Sequence, residues 1–292
     1  MAMGFTHLRS FHAVAETGGF TRAARALSIG QPTVTTQIRE LEQHYGVELF
    51  LRQGRTVQLT ATGAELLAIT RRLMRLTEEA DELLSAHGTL KGGHLRFAAV
   101  GPFHATSIIA AFRRAYPDIA ISVQLGNSWQ TLSALLNLAA DVAILAHAVE
   151  DARVETLDYS RHEVIVFVHR DHPWAGRETV RLAELAGQPF VLREQGSTTR
   201  LALERALDEA GLRIDPVLEI GSREGVWKAV EQGLGISAVA DFEFVPHPNL
   251  WPLRIADRVI RTEYRIAFLR ERRNARTIRA FIEEVRRPRA PG

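Results

Sequence analysis

Residues 31–42 read QPTVTTQIRELE, and this stretch decides the fold because it predicts one helix with two contrasting faces. Pro32 suits the first turn of a helix, where its missing N–H has no partner to lose, and Gly46 suits the position after a helix end at Tyr45. Apolar side chains recur on one face at helical spacing, namely Val34, Ile38, Leu41 and Tyr45. The opposite face carries polar side chains that are mostly short, which favours contact with a partner.

The preceding thirty residues predict two shorter helices that end in a tight turn. The first covers residues 5–15 and is closed by Gly18-Gly19, and the second runs from Arg22 to Leu27 with Thr21 as its cap. Together the three helices predict a helix-turn-helix whose third helix enters a DNA groove. The expected DNA-binding residues on it are Gln31, Thr33, Thr36 and Arg39, the first three as readers of base edges. A merely solvated polar face is the alternative.

A β-hairpin follows the third helix and predicts a wing. Val57 and Leu59 alternate with polar residues after a turn centred on Gly54. Arg52 and Arg55 bracket that turn, where a guanidinium reaches a phosphate or a narrow minor groove. Solvated loop arginines remain the alternative.

These segments resemble the signature of LysR-type transcriptional regulators. The resemblance rests on five runs in the family's order and spacing: FTRAA at 20–24, QPTVT at 31–35, IRELE at 38–42, LF at 49–50 and LTATG at 59–63. Thr35 and Thr36 depart from the family's usual residues, so no operator sequence carries over. The resemblance implies a DNA-binding regulator that assembles as a dimer or tetramer, here a homotetramer.

Beyond the wing, a long helix is predicted to associate with a second copy of the chain. Thr62 and Glu65 fit a capping box at its start. Apolar residues then repeat with a heptad spacing, and the dimerisation residues are expected to be Leu66, Ile69, Leu73, Leu76, Ala80 and Leu83. The alternative is a helix that lies on the C-terminal domain of its own chain.

After the linker Lys91-Gly92-Gly93, strand-like and helix-like segments alternate, which predicts an α/β domain with mainly parallel sheets. The fold class is therefore α+β multidomain: a winged helix-turn-helix, a linker helix, and a bilobal effector-binding domain like a periplasmic binding protein. The expected boundaries are 1–63, 64–91 and 92–292. Within the last, 92–162 and 266–292 form one lobe and 163–265 the other, with the final helix returning to the first lobe.

Four predicted strand-to-helix junctions carry hydroxyl or amide side chains, and ligands of such sheets bind where helix N-termini converge. We expect them to hold a small-molecule anionic effector, although each Ser or Thr taken singly is better explained as a plain helix cap. Glu194 or Glu224 would face a ligand amine. The expected effector-binding residues are Phe103, His104, Thr106, Asn127, Ser128, Ser197, Thr198, Thr199, Arg200, Ser222 and Arg223.

Several runs in this half also resemble regulators associated with 2-aminoethylphosphonate catabolism. They are RDHPWAG at 170–176, LREQGSTTR at 192–200 and IGSRE at 220–224. The resemblance implies a phosphonate effector such as 2-aminoethylphosphonate. An effector from amino- or carboxylic-acid metabolism is the alternative.

Composition excludes several other functions. The 292 residues carry a net charge of only +2 and no cysteine, so neither thiolate metal sites nor disulfides are possible. No long apolar run or export signal is evident, which indicates a cytoplasmic protein without a membrane partner. Residues 235–239, GISAV, lack the closing glycine of a nucleophile elbow, and His162, His169 and His172 lack convergent carboxylates.

We therefore predict a regulator that is not an enzyme and that needs no cofactor or metal. Its expected partners are double-stranded DNA, the effector, other copies of the chain and RNA polymerase. Two rival classes are a solute-binding protein without a transcriptional role, which shares the bilobal layout, and an enzyme with an appended DNA-binding domain. Turnover of a bound ligand would distinguish the second.

Overall fold

The computed structural model describes residues 4–53, 56–84 and 93–287. The chain folds into two compact units. Unit 1 comprises Met1–Thr89 together with Asn137–Ala139, and unit 2 comprises Leu90–Leu136 and Ala140–Gly292.

Unit 1 contains the predicted three helices, the hairpin and the long helix. Its elements are α1 (Phe5–Thr17), α2 (Phe20–Leu27), α3 (Gln31–Tyr45), β1 (Phe50–Gln53), β2 (Thr56–Leu59) and α4 (Ala61–Leu84). Gly18 and Gly46 end α1 and α3 in the left-handed conformation, with φ of 66° and 65°. The apolar face of α3 packs into a core with Phe11, Val14 and Leu49.

Three local expectations for unit 1 were wrong. Thr21 lies inside α2, whose N-cap is Gly19. Thr60 rather than Thr62 caps α4, because its Oγ1 accepts a hydrogen bond from the Gly63 N–H at 2.9 Å and donates to Glu48 O at 2.7 Å. Tyr45 is 51% exposed, because α3 reaches beyond the core at its last turn.

Unit 2 has two lobes, each with its own core. The first lobe contains β3 (His94–Ala99), α5 (Pro102–Ala115), β4 (Ala120–Leu125), α6 (Ser128–Leu136), β5 (Val142–Leu145) and the start of β6 (Val154–His169). The second contains the end of β6, β7 (Thr179–Val180), β8 (Pro189–Arg193), α7 (Thr198–Glu209), β9 (Asp215–Ile220), α8 (Arg223–Glu231), β10 (Ser237–Ala240) and β11 (Leu250–Ile255). Then β12 (Arg261–Leu269) and α9 (Arg276–Arg286) return the chain to the first lobe. Short 3-10 turns occupy Leu182–Leu185, Asp241–Glu243 and Arg270–Arg272.

The sheets of unit 2 are mixed, which corrects the expectation of mainly parallel pairing. In the first lobe β3 is parallel to β4 and β5, but β12 is antiparallel to β5 and β6. In the second lobe β6 pairs antiparallel with β10 and β11, β7 is parallel to β11, and β8 is parallel to β9. The two crossings between lobes cause the difference, since a chain that leaves along β6 and returns along β12 sets those strands antiparallel.

The core of the first lobe explains why α9 returns to it. Phe281 of α9 is fully buried, and its ring centroid lies 5.5 Å from those of Phe97 and Phe112. Aromatic side chains of this size supply much of the buried apolar area of a small lobe. No helix among residues 4–53, 56–84 and 93–287 is both long and apolar enough to cross a membrane.

Candidate functional site

The polar face of α3 is free in unit 1, as the sequence predicts. Gln31, Thr33, Thr36 and Arg39 are all exposed, whereas Val34 and Ile38 behind them are completely buried. Gln31 and Thr33 stand in the first turn of the helix, where unpaired N–H groups and the positive end of the helix dipole add attraction for phosphate, and Thr36 follows in the second turn. The face can therefore approach a polyanion without any rearrangement of the core.

A contact between α2 and α3 sets the side chain of Gln31. The Thr21 hydroxyl donates a hydrogen bond to Gln31 Oε1 at 3.0 Å, so the Gln31 NH₂ group is directed away from Thr21. Ser10 on α1 likewise donates to Gln37 Oε1 at 2.5 Å. Sequence reasoning missed the role of Thr21 because it took the residue for a helix cap.

The wing is only partly described. Its strands pair antiparallel, with Arg52 opposite Val57 in the backbone register. The Arg52 side chain and all of Arg55 lie outside the described residues, so their expected phosphate contacts stay predictions.

Unit 1 also carries the predicted seam of α4. Ile69 and Leu76 are 62% and 63% exposed, Ala80 is exposed and Leu73 is half-buried. Leu66 packs partly against the core of its own unit, so at this position the winged domain covers part of the seam. The side chain of Leu83 lies outside the described residues.

A cleft in unit 2 collects three of the predicted strand-to-helix junctions and the end of β8. Its volume is about 360 Å³. It is lined by Val100, Gly101, Pro102, Leu125, Gly126, Asn127, Gln130, Arg193, Glu194, Gly221, Ser222, Arg223 and Glu224. The cleft thus has walls from both lobes, and its size suits a small ligand.

Three helix N-termini open into this cleft, those of α5, α6 and α8. Asn127 caps α6 in a reciprocal pair: Asn127 Oδ1 accepts from the Gln130 N–H and Gln130 Oε1 accepts from the Asn127 N–H, both at 3.0 Å. Ser222 caps α8 by accepting from the Gly225 N–H at 3.0 Å. Converging helix N-termini favour an anion.

Both arginines of the cleft hold a carboxylate. Arg193 donates to Glu194 through Nε at 2.7 Å and Nη2 at 2.9 Å. Arg223 Nη2 donates to Glu243 Oε1 at 2.9 Å, and the Phe103 ring lies 5.9 Å from the Arg223 guanidinium carbon. Guanidiniums bind phosphate, phosphonate and carboxylate groups, but here each guanidinium is already paired with a carboxylate of the protein.

Glu243 is the most buried charge of the site, with a side chain only 2% exposed. Burial raises the pKa of the Glu243 carboxyl, and the positive charges of Arg223 and Arg193 oppose that rise. Among the described residues its Oε2 has no hydrogen-bond partner, and the Tyr264 hydroxyl lies 3.5 Å from its Oε1. Burial and the charge of Glu243 in turn raise the pKa of Tyr264.

A smaller chamber of about 10 Å³ adjoins the cleft, and Arg193 and Arg223 line both. Glu243 and two predicted residues, Ser197 and Thr199, lie in its wall. The chamber has room for about one water molecule.

Family models match both parts of the chain. The model of the LysR substrate binding domain matches residues 88–289, and the model of the bacterial regulatory helix-turn-helix protein of the lysR family matches residues 5–64. The chain belongs to the LysR family. As a member it is a DNA-binding transcriptional regulator that responds to a small-molecule effector, and not an enzyme.

One curated relative and two solved structures show what this LysR-family regulator is similar to. The HTH-type transcriptional activator CmpR of Synechocystis sp. is 32% identical over 249 residues, 85% of this chain and 82% of the relative. A crystal structure of full-length CbnR complexed with its target DNA has a TM-score of 0.72 at 24% identity, covering 97% of this chain and 99% of CbnR. The regulatory domain of Synechocystis CcmR in complex with 2-PG has a TM-score of 0.61 at 25% identity, covering 66% and 95%.

The regulator's cleft includes some of the predicted effector residues and excludes others. Asn127, Ser222 and Arg223 line it. Thr198 and Ser128 are not in its wall, and Ser128 is buried at the start of α6. Thr106 is not in its wall either, and its hydroxyl donates back to Pro102 O at 2.9 Å within α5.

Two further residues of the regulator have other partners than an effector. Arg200 is bound by Glu204 and Glu219, both at 2.7 Å, and donates to Arg193 O at 2.6 Å, so it positions the end of β8. His104 stacks on Phe242, with ring centroids 4.0 Å apart, and its Nε2 lies 3.1 Å from Ser160 Oγ. Neither Arg200 nor His104 lines the cleft.

Sequence reasoning missed Arg193, Gln130 and Glu243. Arg193 could have been found, because it ends β8 directly before the junction that leads to α7. Glu243 has no local signal, since it follows β10 in a short 3-10 turn and meets Arg223 from twenty positions away. Within the described residues no group of three or more His, Asp or Glu is arranged to hold a metal ion.

Proposed function

We propose that this regulator reads its operator with Gln31, Thr33 and Thr36 of α3, while Arg39 and the wing arginines Arg52 and Arg55 contact phosphates. The exposure of the α3 face over a fully buried apolar side supports this assignment. Short side chains let the helix enter a major groove, and an amide such as that of Gln31 can pair with adenine.

Substitutions on α3 should separate base readout from phosphate contact. On a DNA fragment selected for binding to this protein, Gln31→Ala is expected to cost about 1–3 kcal/mol and to relax discrimination at one base position. Arg39→Ala is expected to weaken all sequences alike and to lower the slope of log affinity against log salt by about 1. Fluorescence anisotropy at several salt concentrations measures both, with the exposed Gln43→Ala as control. Unchanged binding by both variants would contradict the assignment.

We further propose that α4 pairs with α4 of a second copy and that dimers assemble into a homotetramer on DNA. Isolated exposed leucines are common, but Ile69 and Leu76 lie seven residues apart on one helix, as a coiled-coil seam requires. Two copies also present two recognition helices to a palindromic site. RNA polymerase remains a predicted partner, to be tested by adding it to the operator complex.

Polar substitutions in the seam should dissociate the protein. Burial of each large aliphatic side chain contributes about 1.5–3 kcal/mol, so Ile69→Asp with Leu76→Asp is expected to raise the dimer dissociation constant at least about a hundredfold. Sedimentation equilibrium of the full-length chain measures this, and the exposed Arg72→Asp on the same helix is the matched control. A double variant that associates like the wild type would show that the seam faces something else.

The effector of this regulator, we propose, is a small anion held in the cleft by Arg193, Arg223 and the N-termini of α5, α6 and α8. The meeting of three helix N-termini with two guanidiniums carries this proposal. A phosphonate such as 2-aminoethylphosphonate fits this receptor. The similar regulatory domain of CcmR has been solved in complex with 2-PG, which makes 2-PG a second ligand to test. An effector that is a carboxylate or amino acid would use the same guanidiniums.

Calorimetry of the full-length protein with 2-aminoethylphosphonate, 2-PG and acetate distinguishes these ligand classes. We expect binding of at least one phosphorus oxyanion and a changed footprint on the selected DNA when it is present. Heat from acetate alone would favour a carboxylate effector. No heat from any of the three would contradict an anionic effector at this site.

A further inference from the structure

Glu243 already accepts a hydrogen bond from Arg223, one of the two guanidiniums that the proposed effector would use. The Nη2 of Arg223 lies 2.9 Å from Glu243 Oε1, and the carboxylate is 2% exposed. Gly101 of the first lobe closes over the same pair, because a Cβ built there would lie 2.8 Å from Arg223 Nη1 and 3.3 Å from Glu243 Oε1. The Arg223 guanidinium is therefore covered by the backbone of Gly101 on one side and bonded to the Glu243 carboxylate through Nη2.

The other arginine of the cleft differs in one respect. Arg193 is held by Glu194 through two hydrogen bonds, but the side chain of Glu194 is 21% exposed. If Arg193 leaves Glu194 to bind a ligand, water can reach the Glu194 carboxylate. Glu243 is only 2% exposed and lies between Arg223 of the second lobe and Gly101 of the first, so it has no comparable access to water.

We propose that Glu243 is an internal competitor of the effector: the effector's anionic group takes Arg223 from Glu243, and Glu243 takes one proton from solvent as it loses that partner. This inference rests on the proposed anionic effector. Before binding, Arg223 and Glu243 neutralise each other, and afterwards Arg223 neutralises the ligand while Glu243 is an uncharged carboxylic acid. Binding of the effector is then coupled to proton uptake.

The groups around Glu243 support proton uptake there. Arg223 faces it from α8, Arg193 from the end of β8 and the Tyr264 hydroxyl from β12. The Tyr264 ring packs in turn on His104 and His162, and His162 Nδ1 lies 3.1 Å from Asp241 Oδ1. A buried carboxylate that loses a cationic partner is far more stable as the neutral acid. Tyr264 can accept or donate a hydrogen bond, so it tolerates either form.

Calorimetry of the full-length wild type and Glu243→Gln with 2-aminoethylphosphonate and with inorganic phosphate tests this. Titrations at pH 7 in buffers of different ionisation enthalpy give the protons taken up per bound ligand. We expect the wild type to take up as much as one proton more than the variant, and the variant to bind about tenfold more tightly. The ligand's own protonation cancels because both proteins receive the same ligand.

Glu194→Gln is the matched control, since it frees the other arginine. With inorganic phosphate, which has no amine for Glu194 to face, this variant should bind more tightly without a change in proton uptake. If Glu243→Gln does not fold, a protonated-carboxyl band in the infrared difference spectrum of the wild type on ligand binding serves instead. Equal proton uptake in wild type and Glu243→Gln, or no such band, overturns the inference and leaves the anionic effector intact. No binding to any of the three proteins overturns both.

Discussion

Arg223→Met is expected to destabilise unit 2 by about 3 kcal/mol, and adding Glu243→Gln to the same chain to recover about 2 kcal/mol of that loss. Methionine replaces the stem of the arginine but leaves the buried Glu243 carboxylate without its closest cation. Removing one partner of a buried ion pair costs about 3–5 kcal/mol, and the lower figure applies because the charge of Arg193 stays nearby.

The loss in Arg223→Met should also grow with pH. The pKa of Glu243 in the folded protein lies above its ordinary value, so above pH 4.5 the folded state holds more protons than the unfolded state, and stability falls as pH rises. Without Arg223 the pKa of Glu243 rises further, and this fall extends to higher pH. The variant should therefore be closer to the wild type at pH 5 than at pH 8.

Tryptophan fluorescence during urea unfolding measures the free energy of unfolding of unit 2 separately from that of unit 1. The chain has four tryptophans, Trp129, Trp174, Trp227 and Trp251, and all belong to unit 2. Arg273→Met is a suitable control. Its partner Glu155 is 17% exposed, compared with 2% for Glu243, and Arg273 itself is about half exposed. A pH-independent loss in Arg223→Met, or no recovery in the double variant, would show that the pair contributes packing and not charge.

Gly63→Ala is expected to unfold unit 1 and abolish DNA binding while the cleft in unit 2 keeps its ligand. A Cβ at Gly63 would lie 2.2 Å from Leu49 O and 3.0 Å from Leu59 Cδ2. The carbonyl cannot move cheaply, because Leu49 O accepts from the Thr60 N–H and the Leu49 N–H donates to Glu42 Oε1 at 2.9 Å. Overpacking of this kind costs about 3 kcal/mol or more. That outweighs the gain of about 1 kcal/mol that alanine brings to a helix.

Such a cost is a large share of the stability of a domain this small. Far-UV circular dichroism should show an early helical transition that tryptophan fluorescence does not follow. Gly46→Ala is the matched control: its φ of 65° is unfavourable for alanine, but no atom lies within 4 Å of the added Cβ, so it should cost about 1–2 kcal/mol. Normal DNA binding by Gly63→Ala would mean that the start of α4 shifts freely.

The α3 helix was predictable because its determinants are local. Pro32 starts it, Gly46 ends it, and the residues between repeat with one period. The cap of α4 was placed two residues too late, because Thr60 and Thr62 are equally good caps and only the contact of Thr60 with Glu48 selects one. Leu66 likewise occupies a heptad position, but part of its side chain packs against the core of its own unit.

The cleft was predictable only in outline. Glycine and a hydroxyl or amide after a strand mark the junctions, and three of them line the cleft as expected. Which arginine lines the cleft depends on residues far along the chain. Arg200 is bound by Glu219 and does not line the cleft, whereas Arg223 lines it and is bound by Glu243. Pairing across tertiary structure therefore decides the chemistry of this site.

β6 bears on how a signal leaves the cleft. It is one unbroken strand of 16 residues that contributes to both lobes, and β12 pairs with it with a register shift between Tyr264 and Arg265. The lobes are thus joined by a hydrogen-bonded ladder and not by flexible hinge loops. Strands twist about their own axes, and a β-bulge increases that twist locally. We expect effector binding to twist one lobe slightly against the other about β6 and β12.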